Sequence, residues 1–469
     1  MRILFVYTMI NLKLGSYGFQ YGLASLSAYL KKHGQRDIRL CYMAPHYDAA
    51  QFQRQVAEFK PQVIAFYVTW DQYRFVKDLL ALVPDPAVFT IFGGPHPTLN
   101  PGCLLDCERL DAVCVGEGER VLLEVVSSLE RGERPEGTAG LHVKHGGRIV
   151  KNDPAPFLSD IDSLPPVDRE LFAAAAPSRH FGLKPISHRN AFRLTRGCPF
   201  GCAFCSNKAL AAKQAGRYVR CHSAQRVVAE IQECRRRYDI QDLVFLDDTF
   251  MLNEELVERF CGLYGREVGL PFDFFGHIPV RRLEILKRLK DAGGRRISFG
   301  VETGNEEFRR TVIKKDFSNE EALKTFACAK SLGFTTEAFI IIGFPGETPR
   351  MFDDTEELIR QIQPDMYTLT IYFPLPGTEL HDRAVKLGYL PAGMALPPSY
   401  VTFRSSLLDM PEFPDRLIRR RNQWFGYNVY RGTSLKKALM FFIYESPWGD
   451  SLLRLLSPFR KGLGRFIFE

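Results

Sequence analysis

No apolar run in this chain approaches the roughly 20 residues that a membrane-spanning helix needs. Its opening, Met1-Arg2-Ile3-Leu4-Phe5-Val6-Tyr7, reads as a buried strand rather than a cleavable signal, so a cytoplasmic protein is expected. Internal repeats and low-complexity tracts are also missing, which excludes solenoid and fibrous architectures. The cysteine count of 11 is odd; in a reducing compartment it argues for thiols and metal ligands over a disulfide framework. No Gly-x-Gly-x-x-Gly follows the first strand, which weakens the case for a nucleotide-binding sheet. What remains is an ordinary globular composition, 45% hydrophobic and 25% charged, over 469 residues. That length exceeds what one core serves, so two or three domains are expected.

Three cysteines stand apart from the rest. Cys198, Cys202 and Cys205 lie in Thr195-Arg196-Gly197-Cys198-Pro199-Phe200-Gly201-Cys202-Ala203-Phe204-Cys205. Three thiolates on one short loop suit three irons of a four-iron, four-sulfur cube and leave the fourth iron without a protein ligand. The alternatives are a zinc site, which would need a fourth ligand and usually pairs of cysteines, or three buried thiols. The other eight cysteines are scattered, several within apolar stretches such as Ala112-Val113-Cys114-Val115, and read as small core residues.

The spacing Cys-x3-Cys-x2-Cys, with Phe204 before the last cysteine, resembles the signature loop of the radical S-adenosylmethionine (SAM) enzymes. The resemblance implies a [4Fe-4S] cluster on Cys198, Cys202 and Cys205. Its open iron would chelate SAM, and an electron from the cluster would cleave SAM to a 5'-deoxyadenosyl radical.

From about Met1 to Glu136, short β-branched or aromatic runs (2–7, 38–42, 63–68, 88–92 and 112–115) alternate with helix-like stretches such as 23–32 and 71–82. This predicts an α/β, doubly wound Rossmann-like parallel sheet, whose ligands bind beyond the C-terminal strand ends. Thr69 and Trp70, then Gly93-Gly94-Pro95-His96-Pro97-Thr98, then Gly116-Glu117-Gly118-Glu119 occupy those ends. With the long first loop from Thr8 to Tyr21, they resemble the cobalamin-binding domain that precedes many radical SAM modules. The resemblance implies cobalamin contacts at Thr69, Gly93, Gly94, His96, Thr98, Gly116, Glu117 and Glu119. The Asp-x-His-x-x-Gly motif of other cobalamin proteins is absent, which implies a corrinoid with its lower base detached and no histidine on cobalt. A structural sheet without a cofactor is the plain alternative.

Residues 137–187 read as a connector holding a hairpin around Gly146-Gly147 and a proline-rich passage. From 188 to 390 six strand candidates (191–195, 243–247, 272–277, 296–302, 336–343 and 367–373) alternate with amphipathic helices such as 224–238 and 282–292. Six such units suit a partial (β/α)6 TIM-like barrel with its chemistry at the C-terminal rim. The family resemblance assigns SAM contacts there: Asp247 and Asp248 to the amino group, Glu302 to the ribose, Gly343 and Gly346 to the adenine side, and Phe204 beside the cluster. Asp247 and Asp248 as a helix cap, or Gly343–Gly346 as a mere turn, are the plain alternatives. His277, Tyr372 and Phe373 are expected on the same rim.

Residues 391–469 form a basic, mainly helical extension. From Asp415 onward, 11 arginines and lysines face 4 acidic residues, so nearly all of the net charge of +8 sits here, interleaved with aromatics. Solvated charges on an ordinary helical appendage are the simplest reading. Leu452, Leu453, Leu455, Leu456, Phe459 and Leu463 among Arg454, Arg460, Lys461 and Arg465 also suit a membrane interface or a lipid-like substrate. No RNA-binding domain is recognisable, so nucleic acid is not the expected partner.

The combined resemblance implies a cobalamin-dependent radical SAM enzyme that methylates an unactivated carbon of a small-molecule or lipid-like substrate and draws electrons from a flavodoxin or ferredoxin. Ring closure or rearrangement by the same cofactors is the first alternative. RNA modification, or a non-catalytic cobalamin or redox sensor, is the further one.

Overall fold

The computed structural model describes residues 1–10, 19–43, 46–174, 186–280, 282–391 and 405–445. Most of the first loop, part of the connector and the leucine- and arginine-rich stretch from 446 onward lie outside the described residues.

The first sheet contains β1 (Ile3–Thr8), β2 (Ile38–Met43), β3 (Val63–Tyr67), β4 (Phe89–Gly93) and β5 (Ala112–Cys114), all parallel, in the order β2-β1-β3-β4-β5. Every residue of β1 is buried, as a central parallel strand covered on both faces requires. Two cores result, one on each face. Phe5, Leu23, Leu30 and Val125 lie on one side, Val6, Phe52, Val76 and Leu79 on the other.

The hairpin expected in the connector forms as β6 (Leu141–His145) and β7 (Arg148–Lys151). It pairs antiparallel with β5 and extends the first sheet to seven strands. Leu141 and Val143, which alternate inward, are fully buried in the core of the first domain. Burying that apolar face and covering the edge of β5 order the hairpin by packing on its neighbour.

The first strand of the second unit divides. β8 (Ala191–Phe192) joins the second sheet, whereas β9 (Thr195–Arg196) turns away and pairs antiparallel with β10 (Arg220–Cys221). β11 (Leu243–Phe245), β12 (Phe272–Gly276), β13 (Gly294–Glu302), β14 (Thr335–Ile342) and β15 (Met366–Ile371) complete a six-stranded parallel sheet in the order β15-β14-β13-β12-β11-β8. Its strands follow one another in sequence order, each pair linked by a helix, as in an open barrel.

The described part of the extension, 405–445, packs on the second unit. Phe425 lies against Tyr367 and Phe352, with ring centroids 5.1 and 5.7 Å apart, and the Tyr430 hydroxyl donates to the Pro364 carbonyl at 2.8 Å. Arg416, Arg419, Arg420 and Arg431 remain exposed. Among the described residues no helix is long and apolar enough to cross a membrane.

Candidate functional site: a cysteine loop between two cavities

The cysteine loop leaves β9 and ends at the helix Ser206–Ala211. Two backbone bonds fix its middle: Ala203 N–H donates to the Ile313 carbonyl (2.8 Å), and Leu380 N–H donates to the Ala203 carbonyl (3.0 Å). The three thiols are half-buried and close enough to act on one another electrostatically. Burial pushes Cys202 up to about 11, against the opposing charge of Lys315, and raises Cys198 and Cys205 as well. Among the described residues no group of three or more His, Cys, Asp or Glu is arranged around one metal ion. A cubane asks for something else: neighbouring sulfurs, each on its own iron, which a single loop with three thiols supplies. The donor set fits the cluster.

One face of the loop borders a cavity of about 1080 Å³ at the C-terminal rim of the second sheet. Pro199, Phe200, Gly201 and Cys202 form its inner wall, with Thr249, His277 and Lys315 beside them. The His277 ring stacks on Phe200 with centroids 3.5 Å apart and planes 7° from parallel. Burial, and then the charge of Lys315, hold His277 down at about 3, so its imidazole is neutral. Its Nε2 is buried and has no partner among the described residues.

The loop's two ends border a second cavity, of about 470 Å³, at the C-terminal ends of β1, β3, β4 and β5. Gly93, Gly94, Thr98, Gly116, Glu117 and Glu119 line it from the first domain. Gly197, Asn207, Tyr218 and Asp248 close it from the second. Gly94 (φ +109°) and Gly116 (φ +100°) are left-handed, and a Cβ on either would lie 2.9 Å from the Val68 carbonyl or 2.5 Å from the Gln214 side chain. Gly93, with nothing within 4 Å of where its Cβ would lie, presents bare backbone to the cavity beside Phe5, Tyr67 and Leu122, which fits a broad flat ligand such as a corrin ring.

The expected site residues divide into groups. Glu117 and Glu119 face the second cavity, yet arginines of the second domain engage their carboxylates. Arg220 holds Glu117 with two hydrogen bonds (2.6 and 2.9 Å), and Arg196 pairs with Glu119 at 2.9 Å. The Gln214 side chain accepts from Glu117 N–H (2.9 Å), which seals the same seam. His96 and Thr69 do not line the cavity. His96 is buried against Tyr73 (centroids 4.2 Å apart) and Trp70, both ring nitrogens lack partners among the described residues, and burial lowers it to about 4.

On the SAM side the two aspartates part company. Asp247 is buried and accepts from Leu194 N–H (3.0 Å), Thr195 N–H (2.5 Å) and the Thr195 hydroxyl (2.7 Å). It thereby ends the ladder at β8 and turns the chain toward the cysteines. Asp248 is exposed and lines the second cavity. Glu302 is buried at a positive φ of 66° and pairs with Lys315 Nζ at 3.0 Å. Phe204 packs on Phe344, centroids 5.7 Å apart, and so joins the cysteine loop to the Gly343–Gly346 turn. Gly343 and Gly346 line neither cavity. Lys315, Arg196, Arg220 and Gln214 were not singled out from the sequence. Arg196, two before Cys198, and Thr249, in Asp247-Asp248-Thr249, lay within the motifs read there.

Residues 192–359 match the model of the Radical SAM superfamily, and residues 7–126 match that of the B12 binding domain. The fold and site define a radical SAM enzyme with a corrinoid domain in front. The chain thus combines a B12 binding domain with a radical SAM domain, and the cofactors of that pair are a [4Fe-4S] cluster, SAM and cobalamin. It is 28% identical to an uncharacterized methyltransferase of Pyrococcus horikoshii, over 79% of this chain and 80% of that protein. An anaerobic magnesium-protoporphyrin IX monomethyl ester cyclase of Rubrivivax gelatinosus is 24% identical (86% and 73%), and a hopanoid C-3 methylase of Methylococcus capsulatus is 26% identical (98% and 85%). Among solved structures, the cobalamin-dependent SAM radical enzyme OxsB with aqua-cobalamin and SAM bound superimposes with a TM-score of 0.69 at 16% identity, covering 95% of this chain and 70% of that one. That likeness speaks for the fold.

Proposed function

We propose that this enzyme methylates an unactivated carbon of a small-molecule or lipid-like substrate. The observation that carries the reading is the shared wall: the cysteine loop separates the cleft at the strand ends of the first domain from a larger chamber and borders both. When bound, the cluster with SAM supplies a carbon-centred radical, and the corrinoid supplies a methyl group. In this reading Cys198, Cys202 and Cys205 hold the cluster, and Gly93, Gly94, Thr98 and Gly116 bear on the corrinoid. Phe200, Met251, Leu252, Val280 and Ile285 give the chamber an apolar lining that keeps water from a reactive carbon. Two relatives named as methyltransferase or methylase support the outcome.

A second reading is ring closure, favoured by the cyclase relative that matches 86% of the chain. Anaerobically reconstituted protein, given candidate substrates, separates the two by mass spectrometry. Methylation adds one methylene, and ring closure removes two hydrogens. Release of 5'-deoxyadenosine is expected in either case and is lost in the Cys198→Ala/Cys202→Ala/Cys205→Ala variant; protein that loads the cluster and never releases it defeats the enzyme reading.

The reading includes a cytoplasmic setting and a flavodoxin- or ferredoxin-type electron donor. Peripheral membrane contact through the extension belongs to it too. The helix Leu435–Glu445 supports this contact, since it exposes Leu435 (83%), Leu439 (58%) and Phe442 (44%) at helical spacing, beside exposed Arg431 and Lys436.

A further inference from the structure

Lys315 reaches the cysteine loop along a rigid path. The segment Arg309–Ile313 is π-helical, a conformation that recurs at functional sites, and ends in Lys314 at a left-handed φ of 59°. The side chain of Arg309, fully buried, braces this segment by donating to the carbonyls of Thr303 (2.6 Å) and Phe317 (2.8 Å) and to the Asn319 side chain (2.9 Å). Ile313, at the end of the segment, accepts the backbone bond from Ala203 that pins the cysteine loop. Two residues later the Lys315 ammonium is buried at the inner wall of the larger cavity, in the same wall as Cys202. It donates to the Gly300 carbonyl at 2.7 Å and to Glu302 at 3.0 Å.

Glu302 holds its end of the pair at an unfavourable backbone angle. A non-glycine residue at φ 66° on the last position of a strand is strained, and such strain persists only where the surroundings enforce it. Gly300, two residues earlier, has no room for a side chain: a Cβ there would lie 2.3 Å from the Glu302 carboxylate and 2.4 Å from Lys315 Nζ. Glycine at 300, strained backbone at 302 and a left-handed turn at 314 all serve to place one ammonium and one carboxylate beside the cluster loop.

We propose that Lys315 and Glu302 are a charge pair that sets the reduction potential of the cluster held by Cys198, Cys202 and Cys205, Lys315 raising it and Glu302 tempering the effect. The inference rests on the cluster assignment. Reduction adds a negative charge to a group already bearing three thiolates. A fixed cation in a half-buried, low-dielectric wall favours the reduced form, and a neighbouring carboxylate opposes it. Lys315 is therefore a positioning charge that acts through the cluster.

The test is an anaerobic redox titration followed by electron paramagnetic resonance, on full-length protein reconstituted with iron and sulfide, without SAM. Lys315→Met is expected to lower the midpoint by about the equivalent of a tenfold loss in the ratio of reduced to oxidised cluster, about 59 mV for one electron. Lys315→Arg should keep the wild-type midpoint, and Glu302→Gln should raise it. Iron content is measured on every variant. A merely structural pair would lower iron content in both Lys315→Met and Glu302→Gln without moving the midpoints in opposite directions. Equal midpoints, or shifts of the same sign, overturn the proposal while leaving the cluster in place. Wild-type protein that takes up no iron overturns the cluster assignment itself, and this proposal with it.

Discussion

Arg196, two residues before the first cysteine of the cluster loop, forms a 2.9 Å ion pair with Glu119 of the first domain and donates to the Ser25 hydroxyl, also at 2.9 Å. Ser25 in turn donates to Glu119 at 2.9 Å, which closes a buried triangle between the two domains. Removing one partner from such a pair leaves an uncompensated charge and costs about 3–5 kcal/mol. Glu119→Gln and Arg196→Met should each destabilise the protein by that order in urea unfolding, and the double variant by less than their sum. Burial acts to raise the Glu119 carboxyl, but Arg196 and the surrounding hydrogen bonds outweigh it and hold it below the ordinary carboxylate range. A depressed carboxyl stabilises above its unfolded value and loses that contribution as pH falls through the folded one. The acid-side decline in stability should therefore flatten in Glu119→Gln.

Glu347 behaves in the opposite sense. One carboxylate oxygen accepts from Gly343 N–H (2.6 Å) and Phe344 N–H (3.3 Å), while the other is buried without a partner among the described residues. Burial pushes the group up to about 8, so it is protonated at neutral pH. Its contribution is full below the ordinary carboxylate value of 4.5, is lost progressively as pH rises from there to about 8, and changes no further above that. Thermal melts between pH 5 and 8 should show this decline in the wild type and not in Glu347→Gln, which keeps the shape and stays neutral.

The neighbouring aspartates should separate cleanly. Asp247→Ala strands the buried N–H groups of Leu194 and Thr195, at about 1–3 kcal/mol each. Asp248→Ala removes an exposed carboxylate and should change stability by no more than about 0.5 kcal/mol. Urea unfolding of both variants checks the contrast. Equal losses would show that burial does not distinguish them.

Contact with a lipid surface makes its own prediction. Wild-type protein should sediment with vesicles of neutral and anionic phospholipid, less so at high salt. Leu439→Glu should weaken this several-fold without lowering the melting temperature, because Leu439 is 58% exposed. Unchanged sedimentation would place the contact elsewhere.

Strand positions were legible because parallel strands buried on both faces are continuous β-branched and aromatic runs, and all five such runs in the first 136 residues are strands. The cysteine loop was legible because its meaning is carried by local spacing. Glu117 and Glu119 were not, because what decides their engagement is partners far along the chain: Arg220 lies 103 residues from Glu117. Asp247 and Asp248 look alike in sequence, and only the turn of β8 toward β9 decides which one is consumed by backbone. Lys315 sits in no motif; a π-helical segment and two strained residues bring it to the site.

The stretch Gly197–Cys205 has its middle on one cavity and its start on the other, pinned between them by Ala203. It therefore works as a gauge block: its residue count fixes the gap between the two cavities. Side chains other than the three cysteines can be exchanged and merely retune the site, whereas inserting a single residue would throw both halves out of alignment at once.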